Sequence, residues 1–315
     1  MATIIETKNL THRYGKLTAV NDISLEIEQG SIFGFIGPNG AGKTTTMRIL
    51  STLLMPTSGD AWIGGCSVRR DPRGVRRQIG YMPDFFGVYN EMKVWEYLDF
   101  FGACYDLPRA RRMALIDDLL ALVDLSHRRN DYVDSLSRGM KQRLCLARTL
   151  THDPQVLILD EPASGLDPRA RIEIRELLKE LQAMGKTIFF SSHILLEVAE
   201  ICTSIGIIEG GRLIVQGTLD EIRGQEGVRR VRLTLTDRAQ EAVNLLKSIP
   251  GVLNAMIVRE NERRNELVAD FAGDDNAQAA ILNRLIAARL PILSFQEEKV
   301  DLEALFMQRT QGLVT

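Results

Sequence analysis

The stretch GPNGAGKT, residues 37–44, places the strongest constraint on how this chain can fold. It follows SIFGFI, an apolar run with the aromatic and branched residues of a buried strand, and it leads into TTTMRILSTLL, a helix-forming run. The stretch fits the pattern G-x-x-x-x-G-K-[ST], in which backbone N–H groups cradle phosphate oxygens at the start of a helix. A strand, a phosphate loop and a helix in this order predict an α/β fold that binds a nucleotide.

The residues of this loop have separate predicted tasks. Its glycines let the backbone curl so that successive N–H groups point inward at the phosphates. The ammonium of Lys43 lies against the β- and γ-phosphates, and the hydroxyl of Thr44 can ligate Mg²⁺. A glycine-rich turn could match the pattern by chance, but the flanking strand and helix disfavour that alternative. The predicted nucleotide-binding residues of the loop are Gly37, Pro38, Asn39, Gly40, Ala41, Gly42, Lys43, Thr44 and Thr45.

A second apolar strand, in QVLILDEP (155–162), ends in two carboxylates. Open α/β sheets bind ligands at the carboxyl ends of their strands, so both side chains are expected near the phosphates. Asp160 is predicted to hold Mg²⁺ directly or through water. Glu161 can polarise a water for attack on the γ-phosphate. Two exposed acids at a strand end are the alternative, and the phosphate loop makes it less favourable.

Hydrophobic patterning places these motifs in a larger architecture. Between Ile4 and about Arg223, runs such as KTIFFSS and SIGIIEG are typical of buried parallel strands. In the early segments TIIETKNL and AVNDISLEIEQG, apolar and polar residues alternate more regularly, which indicates an added antiparallel sheet. Apolar residues at helical spacing between Val94 and Leu125 indicate an inserted helical subdomain, about residues 85–150. The predicted fold class is therefore α/β, a P-loop NTPase with a mixed sheet core, an antiparallel β subdomain and a helical subdomain.

After Gly224 a new succession of predicted strands and helices begins, in the order β-α-β-β-α-β. This order predicts a C-terminal α+β ferredoxin-like domain. The strands are expected in VRRVRLTL, LNAMIVRE, ELVADFA and ILSFQEE, and a final amphipathic helix in VDLEALFMQRT. The predicted domains cover residues 1–224 and 225–315. A ferredoxin-like fold does not specify a function. We expect a dimer-bracing or regulatory role, with a simple stabilising appendage as the alternative.

Composition narrows the classes of function. The formal net charge is −2, so there is no reason to expect a nucleic-acid partner, which would need a basic face. The four cysteines lie far apart with no C-x-x-C pair, which disfavours a disulfide scaffold or a zinc site. The N-terminus lacks the apolar core of a signal peptide, and no uncharged apolar run is long enough to span a bilayer. We expect a cytoplasmic protein that could still have a membrane partner.

Four motifs, taken in order, resemble the ATP-binding cassette (ABC) ATPases of transporters. They are GPNGAGKTT, LSRGMKQRL (136–144), LILDEPASGLDP and SSH (191–193), and the resemblance covers about residues 4–222 without a gap. Each motif alone is moderate evidence, whereas four in order are very specific. The resemblance implies ATP and Mg²⁺ as ligands, with ATP shared between two cassettes of a homodimer.

The resemblance also implies roles for residues outside the phosphate loop. LSRGM resembles the family's signature loop, so Ser137 and Gly139 are expected to contact the γ-phosphate of ATP bound to a second copy. The N-terminal dipole of the following helix would favour that anion. Tyr14 resembles the aromatic that stacks on adenine. His193 resembles the switch histidine that touches the γ-phosphate. The implied catalytic residues are Lys43, Glu161 and His193.

Plainer interpretations stay open for several of these residues. Ser137 could be an ordinary helix N-cap, and Tyr14 could serve packing alone. His193 could cap the helix in HILLEVAEICT. Asp167 belongs to a loop that resembles the one communicating across the dimer, and it could equally cap the helix that begins at Pro168.

Two departures from the family pattern bear on the site. Asp84, in GYMPD, stands where the family usually has glutamine. It could still reach Mg²⁺ through water, but repulsion from Asp160 and Glu161 is expected to weaken its nucleotide contact. Arg138 and Met140 replace the usual glycine and glutamine of the signature. Arg138 either adds positive charge near the shared phosphate or is solvated.

The resemblance favours an ATP-hydrolysing subunit that powers export by a membrane transporter, in the branch that handles drugs, antibiotics, polysaccharides or lipids. The expected partners are transmembrane permease subunits and a second copy of the chain, with the protein peripheral on the cytoplasmic face of the membrane. FFGVYNEMKVWEYL, after position 84, is either the permease-docking surface or part of the helical subdomain's core.

A soluble ABC-type ATPase acting on ribosomes, DNA or cofactor assembly is the alternative function. The single copy of each motif and the absence of a long heptad run argue against it. A small-molecule kinase on a P-loop fold would leave LSRGM and SSH unexplained.

Overall fold

The computed structural model describes residues 2–84, 91–224, 228–261 and 264–298. The chain divides into two compact units, the first ending at Leu219 and the second beginning at Asp220. The division into domains over residues 1–224 and 225–315 stays a prediction. Within the described ranges, no helix is both long enough and apolar enough to cross a bilayer.

The described part of the first unit is built from β-sheets and the helices around them. Its strands are β1 (Thr3–Tyr14), β2 (Leu17–Glu28), β3 (Ile32–Ile36), β4 (Ser58–Ile63), β5 (Cys66–Ser67), β6 (Ile79–Met82), β7 (Val156–Leu159), β8 (Thr187–Ser192), β9 (Ser204–Glu209) and β10 (Arg212–Thr218). Its helices are α1 (Lys43–Leu50), α2 (Pro72–Gln78), α3 (Val94–Cys104), α4 (Arg109–Leu122), α5 (Arg138–Thr149), α6 (Pro168–Ala183) and α7 (Leu195–Ile201). Helix α8 (Leu219–Gly224) spans the division between the units.

The central sheet has the strand order β10-β9-β3-β8-β7-β6. All neighbours in it are parallel except β10, which pairs antiparallel with β9. Every residue of β3, β7 and β8 is buried, as expected for strands covered on both faces. This mixed sheet confirms the predicted α/β fold class, whereas the edge strand β10 was not anticipated from its sequence.

Parallel pairing brings three separated segments to one edge of this sheet. Strand β8 is hydrogen-bonded to β3 on one side and to β7 on the other. Because all three run in the same direction, the phosphate loop after β3, Asp160 after β7 and His193 after β8 emerge at their carboxyl ends. The topology therefore places the predicted ligand-binding groups side by side.

A second, antiparallel sheet has the order β2-β1-β4-β5, as its alternating sequence predicted. The buried residues of β1 and β2 include Leu10, Ile23 and Ile27, and the polar residues that alternate with the buried ones between Asp22 and Glu28 are exposed. Tyr14 ends β1 and pairs with Leu17 across the hairpin. The sheet thereby carries an aromatic side chain at its end.

Helices α3 to α5 occupy the predicted helical subdomain, of which residues 85–90 lie outside the described ranges. The side chain of Ser137 caps α5 by accepting from the backbone N–H of Met140 at 3.3 Å. Near the other end of α5, Arg148 lies over the Phe101 ring, 5.0 Å from its centroid. Arg148 also donates to the carbonyl of Tyr81 in β6 at 3.2 Å. Helix α5 is thus anchored both to its neighbour and to the central sheet.

The second unit contains β11 (Val228–Leu235), α9 (Ala239–Ser248), β12 (Val252–Glu260), β13 (Asn265–Ala272), α10 (Asp275–Ala287) and β14 (Ile292–Glu298). Its antiparallel sheet has the order β12-β13-β11-β14, which confirms the predicted ferredoxin-like fold. Alternate residues of β11, such as Leu233, are buried against the helices. Their neighbours Arg230 and Arg232 instead form ion pairs with Asp270 and Glu266. The predicted final helix in VDLEALFMQRT lies outside the described residues.

Leu285→Ala is expected to lower the free energy of unfolding of the second unit by about 2–5 kcal/mol, because it leaves a cavity in a packed core. Leu285 is 0% exposed, whereas the next residue on α10, Ile286, is 58% exposed. Ile286→Ala is the matched control and should change this free energy by about 0.5 kcal/mol or less. Hydrogen exchange of the α10 amides measures both variants. Equal loss of protection in the two would contradict this packing of α10.

Candidate nucleotide site

A cavity of about 490 Å³ lies at the carboxyl edge of the central sheet. It joins the phosphate loop to the end of β1, to the start of the segment after β6 and to the residues that follow β7 and β8. The predicted site residues that line it are Tyr14, Asn39, Gly40, Ala41, Gly42, Lys43, Thr44, Thr45, Asp84, Glu161 and His193. Segments far apart in the sequence therefore meet around one space.

Lys43 is held inside this cavity by the phosphate loop itself. Its Nζ donates to the carbonyl oxygens of Gly37 at 2.6 Å and Pro38 at 3.1 Å. The same nitrogen lies 3.8 Å from Oε1 of Glu161. Burial lowers the pKa of Lys43, and the nearby carboxylates of Glu161 and Asp160 oppose that shift. A phosphate beside this ammonium would further favour its charged form.

Two glycines of the loop permit close backbone contacts that any side chain would prevent. A Cβ on Gly42 would lie 2.4 Å from the carbonyl oxygen of Ala19, and the backbone there has a φ of +105°. A Cβ on Gly37 would lie 2.3 Å from the carbonyl oxygen of Ile208. The loop is therefore pressed against β2 and β9, which fixes the direction of its N–H groups.

Ser191, a fully buried residue of β8, connects the carboxylate of Asp160 to the backbone of Glu161. Its hydroxyl donates to Oδ1 of Asp160 at 2.7 Å and accepts from the backbone N–H of Glu161 at 2.9 Å. Asp160 is 1% exposed, and its backbone N–H donates to the carbonyl of Met82 at 2.8 Å. Its second oxygen, Oδ2, is buried with no hydrogen-bond partner. A buried carboxylate oxygen of this kind is suited to a cation.

The backbone of Glu161 adopts the left-handed region, with a φ of +51°. This conformation costs a residue other than glycine about 1–2 kcal/mol, so the surrounding contacts must hold it. The Glu161 side chain is 14% exposed, with Oε2 2.6 Å from Nδ1 of His193. The N-cap of α7 is Ile194, so His193 is not the helix cap that the plainer interpretation proposed. His193 instead faces the carboxylate.

The remaining cavity residues lie at its rim. Tyr14 is 44% exposed, and its ring lies at 73° to the ring of His12 with a centroid separation of 4.6 Å. Asp84 is exposed where it lines the cavity. The accessible Tyr14 ring is compatible with a ligand that has an aromatic end.

The predicted signature residues do not line this cavity. We call Leu136–Met140 the signature turn and Glu161–Asp167 the carboxylate loop. Ser137, Gly139 and Asp167 line a second cavity of about 240 Å³. Among the residues that the structure describes around the first cavity, none comes from the signature turn. Asp167 also caps α6 by accepting from the N–H of Ala170 at 3.0 Å, one of the two roles considered for it.

Sequence reasoning missed some residues that build the site. Leu17 and Ala19 line the first cavity, and Ser191 connects the Asp160 carboxylate to the Glu161 backbone. The alternation of β2 could have placed Leu17 and Ala19 on one face of that strand. Ser191 is the first residue of SSH, but its partners precede it by about thirty residues and nothing local identifies them.

Similarity to known proteins decides the family. Over 308 residues the chain is 32% identical to the linearmycin resistance ATP-binding protein LnrL of Bacillus subtilis (strain 168), and the alignment covers 98% of each chain. The chain belongs to the family of ABC transporter ATP-binding proteins. The ABC transporter family model matches residues 20–164 of this ABC protein. The model for the C-terminal domain of DrrA1-3-like ATP-binding proteins matches residues 217–310.

Another relative and a solved structure agree with this assignment. The Nod factor export ATP-binding protein I of Ralstonia nicotianae is 32% identical over 308 residues, which cover 98% of this chain and 94% of the relative. A solved ATP-binding subunit of an ABC transporter superposes with a TM-score of 0.65 at 33% identity, covering 71% of this chain and 93% of that one. The predicted resemblance is confirmed, and this ABC protein is an ATP-binding ATP hydrolase.

Ser191→Ala is expected to lower the free energy of unfolding by about 1–3 kcal/mol, because it leaves buried groups of Asp160 and Glu161 without their shared partner. Ser51→Ala is the matched control. Ser51 is also buried, but the carbonyl to which its hydroxyl donates already accepts the Ser51 backbone N–H. That variant should be nearly neutral. Urea unfolding followed by tryptophan fluorescence reports the first unit, which contains both tryptophans. Equal losses in the two variants would show that the Ser191 bridge adds nothing.

Proposed function

We propose that two copies of this ABC protein hold ATP between them, and that its hydrolysis drives export through a transmembrane permease. The phosphate loop of one copy and the signature turn of the other bind the same terminal phosphate. The observation that carries this proposal is the separation of the two cavities on one chain. Ser137 and Gly139 line a different cavity from Lys43. A second copy can supply the signature turn that the first cavity lacks.

In this proposal three side chains around the first cavity share the chemistry. Glu161 acts as the base that polarises the attacking water, since its carboxylate is directed into the cavity and is largely shielded from solvent. Lys43 neutralises charge on the phosphates. His193 orients the Glu161 carboxylate through their 2.6 Å hydrogen bond and is close enough to the cavity to meet the γ-phosphate.

The rest of the nucleotide is bound by the loop and by the rim of the cavity. The backbone N–H groups of Asn39 to Thr45 receive the phosphates at the N-terminus of α1. Tyr14 stacks on adenine, which its accessible ring permits. Asp167 contributes from the second cavity, beside the signature turn of its own chain.

Mg²⁺ fits the residues present. Oδ2 of Asp160 is a buried carboxylate oxygen with no hydrogen-bond partner, and hard oxygen ligands are those that Mg²⁺ prefers. Asp160 and Thr44 would hold the ion, with Asp84 reaching it through water. When bound, the ion offsets negative charge on the phosphates. Ser191 meanwhile keeps the other Asp160 oxygen occupied, so that Oδ2 alone is left for the cation.

Export is the direction of transport that the relatives favour. The relatives reported above are described as a resistance protein and as an export protein, and both align along almost the whole of this chain. A transmembrane permease would be the partner, with this subunit peripheral on the cytoplasmic face of the membrane. Co-purification of a protein with several transmembrane helices tests this point, and recovery with ribosomes or DNA instead would favour the soluble alternative.

Glu161→Gln is expected to retain ATP binding and to slow hydrolysis by at least about 100-fold, because the amide cannot accept a proton from water. The variant should accumulate as an ATP-dependent dimer in sedimentation velocity. Adding Ser137→Arg should abolish that dimer, since a long cation replaces the small hydroxyl of the signature turn, while ATP affinity of the single chain stays unchanged.

Ser126→Arg is the control for this experiment, because Ser126 is an exposed serine that lines neither cavity. Its combination with Glu161→Gln should dimerise like Glu161→Gln alone. Persistence of the dimer with Ser137→Arg would refute the shared ATP site.

Asp84→Gln is expected to maintain or raise the affinity for magnesium-ATP. It removes repulsion on the order of 1 kcal/mol from the carboxylates of Asp160 and Glu161, about fivefold in affinity. Asp118→Gln, at an exposed position of α4, controls for the change in net charge. Isothermal titration with magnesium-ATP compares the two. Complete loss of binding in Asp84→Gln would show that the carboxylate itself is required.

A further inference from the structure

Arg138, the signature residue where the family usually has glycine, lies against the carboxylate loop of its own chain. A Cβ on Gly165 would lie 2.3 Å from Cζ of Arg138 and 2.4 Å from each terminal nitrogen. Such nearly equal distances place Gly165 over the face of the guanidinium plane rather than at its edge. The Gly165 backbone has a φ of +66°, a conformation that favours glycine, and an added Cβ would displace the Arg138 guanidinium.

Other contacts hold α5 against the carboxylate loop and against the start of α6. The buried side chain of Gln142 donates from Nε2 to the carbonyl of Pro162 at 2.6 Å. A Cβ on Gly139 would lie 3.3 Å from Cβ of Ala170, in the first turn of α6. The first two turns of α5 therefore contact both the carboxylate loop, whose first residue is Glu161, and the first turn of α6.

Stacking, rather than charge pairing, explains where the Arg138 side chain lies. Across the described residues, Arg138 makes no ion pair with a carboxylate. A guanidinium is planar and weakly hydrated, which allows it to lie flat on a peptide group, whereas an ammonium is compact and strongly hydrated. The contact thus depends on the shape of arginine as much as on its charge.

We propose that Arg138 is a positioning residue that fixes the carboxylate loop to the signature turn of the same chain. This inference rests on the proposed function, in which the signature turn binds the partner's ATP while Glu161 serves the ATP of its own chain. The stack on Gly165 then connects the two nucleotide sites of the dimer. Engagement of one ATP by the signature turn places the carboxylate loop that serves the other.

The test is a double-mutant cycle on the full chain with Arg138→Ala and Gly165→Ala. Each single variant is expected to lower kcat for ATP hydrolysis about tenfold and to bring the Hill coefficient for ATP toward one, without changing ATP affinity of the single chain. The double variant should be about tenfold slower as well, not about a hundredfold, because contacting residues are non-additive. If the contact between Arg138 and Gly165 were purely structural, its loss would lower the free energy of unfolding and leave the Hill coefficient unchanged.

Two further variants separate shape from charge. Arg138→Lys keeps the positive charge but replaces the planar guanidinium with an ammonium, so its kcat and Hill coefficient should resemble those of Arg138→Ala. Arg169→Ala removes an arginine that lines the same cavity with a side chain 91% exposed, and it should leave kcat within about twofold of the parent. Full activity of Arg138→Lys, or a tenfold loss in Arg169→Ala, would show that positive charge near the phosphate matters and would overturn the stacking role.

The outcomes also distinguish this inference from the function on which it rests. If the parent hydrolyses ATP cooperatively but the effects of Arg138→Ala and Gly165→Ala multiply, the positioning role alone is refuted. If the parent shows neither cooperative hydrolysis nor an ATP-dependent dimer in the Glu161→Gln background, the proposed function fails and this inference fails with it.

Discussion

The parallel pairing of β8 with both β3 and β7 is the constraint on which the rest of this site depends. Its register sets Ser192 beside Ile36 on one side and Phe190 beside Leu159 on the other. All three strands are buried on both faces, so their hydrogen bonds are shielded from water and a shift in register would place every side chain in a different packing environment. The phosphate loop, the carboxylates and the histidine have fixed relative positions because the strands that carry them do.

The strands and the phosphate loop could be predicted because complete burial leaves a clear mark on composition. The residues of IFGFI and VLIL have no polar side chain, and the loop between strand and helix fits a strict spacing. Strand β10 has a mixture of buried, intermediate and exposed positions at a sheet edge, so its sequence resembles that of a loop. The ferredoxin-like order followed from the succession of strand and helix patterns, and in β11 and β13 the buried apolar residues alternate with charged pairs.

Features of the site that depend on contacts distant in sequence could not be predicted. Nothing local to Ser191 indicates that its hydroxyl contacts the Asp160 carboxylate and the backbone N–H of Glu161, two residues that follow β7. The left-handed backbone of Glu161 carries no sequence signal either, because the residue type is unusual there and neighbouring contacts impose the conformation. From the sequence, Arg138 was expected either to add positive charge near the shared phosphate or to be solvated. The structure instead places its guanidinium against Gly165.

Helix α5 connects the signature turn to β6 of the central sheet. Its first turn carries the signature residues. Near its last turn, Arg148 donates to the carbonyl of Tyr81, which lies three residues before Asp84. Twelve helical residues form a rod about 18 Å long. These contacts fix both ends of the helix, so the position of the signature turn depends on the strand that leads to Asp84. The helix that would contact a partner's nucleotide is thus bonded to β6, which leads to the nucleotide site of its own chain.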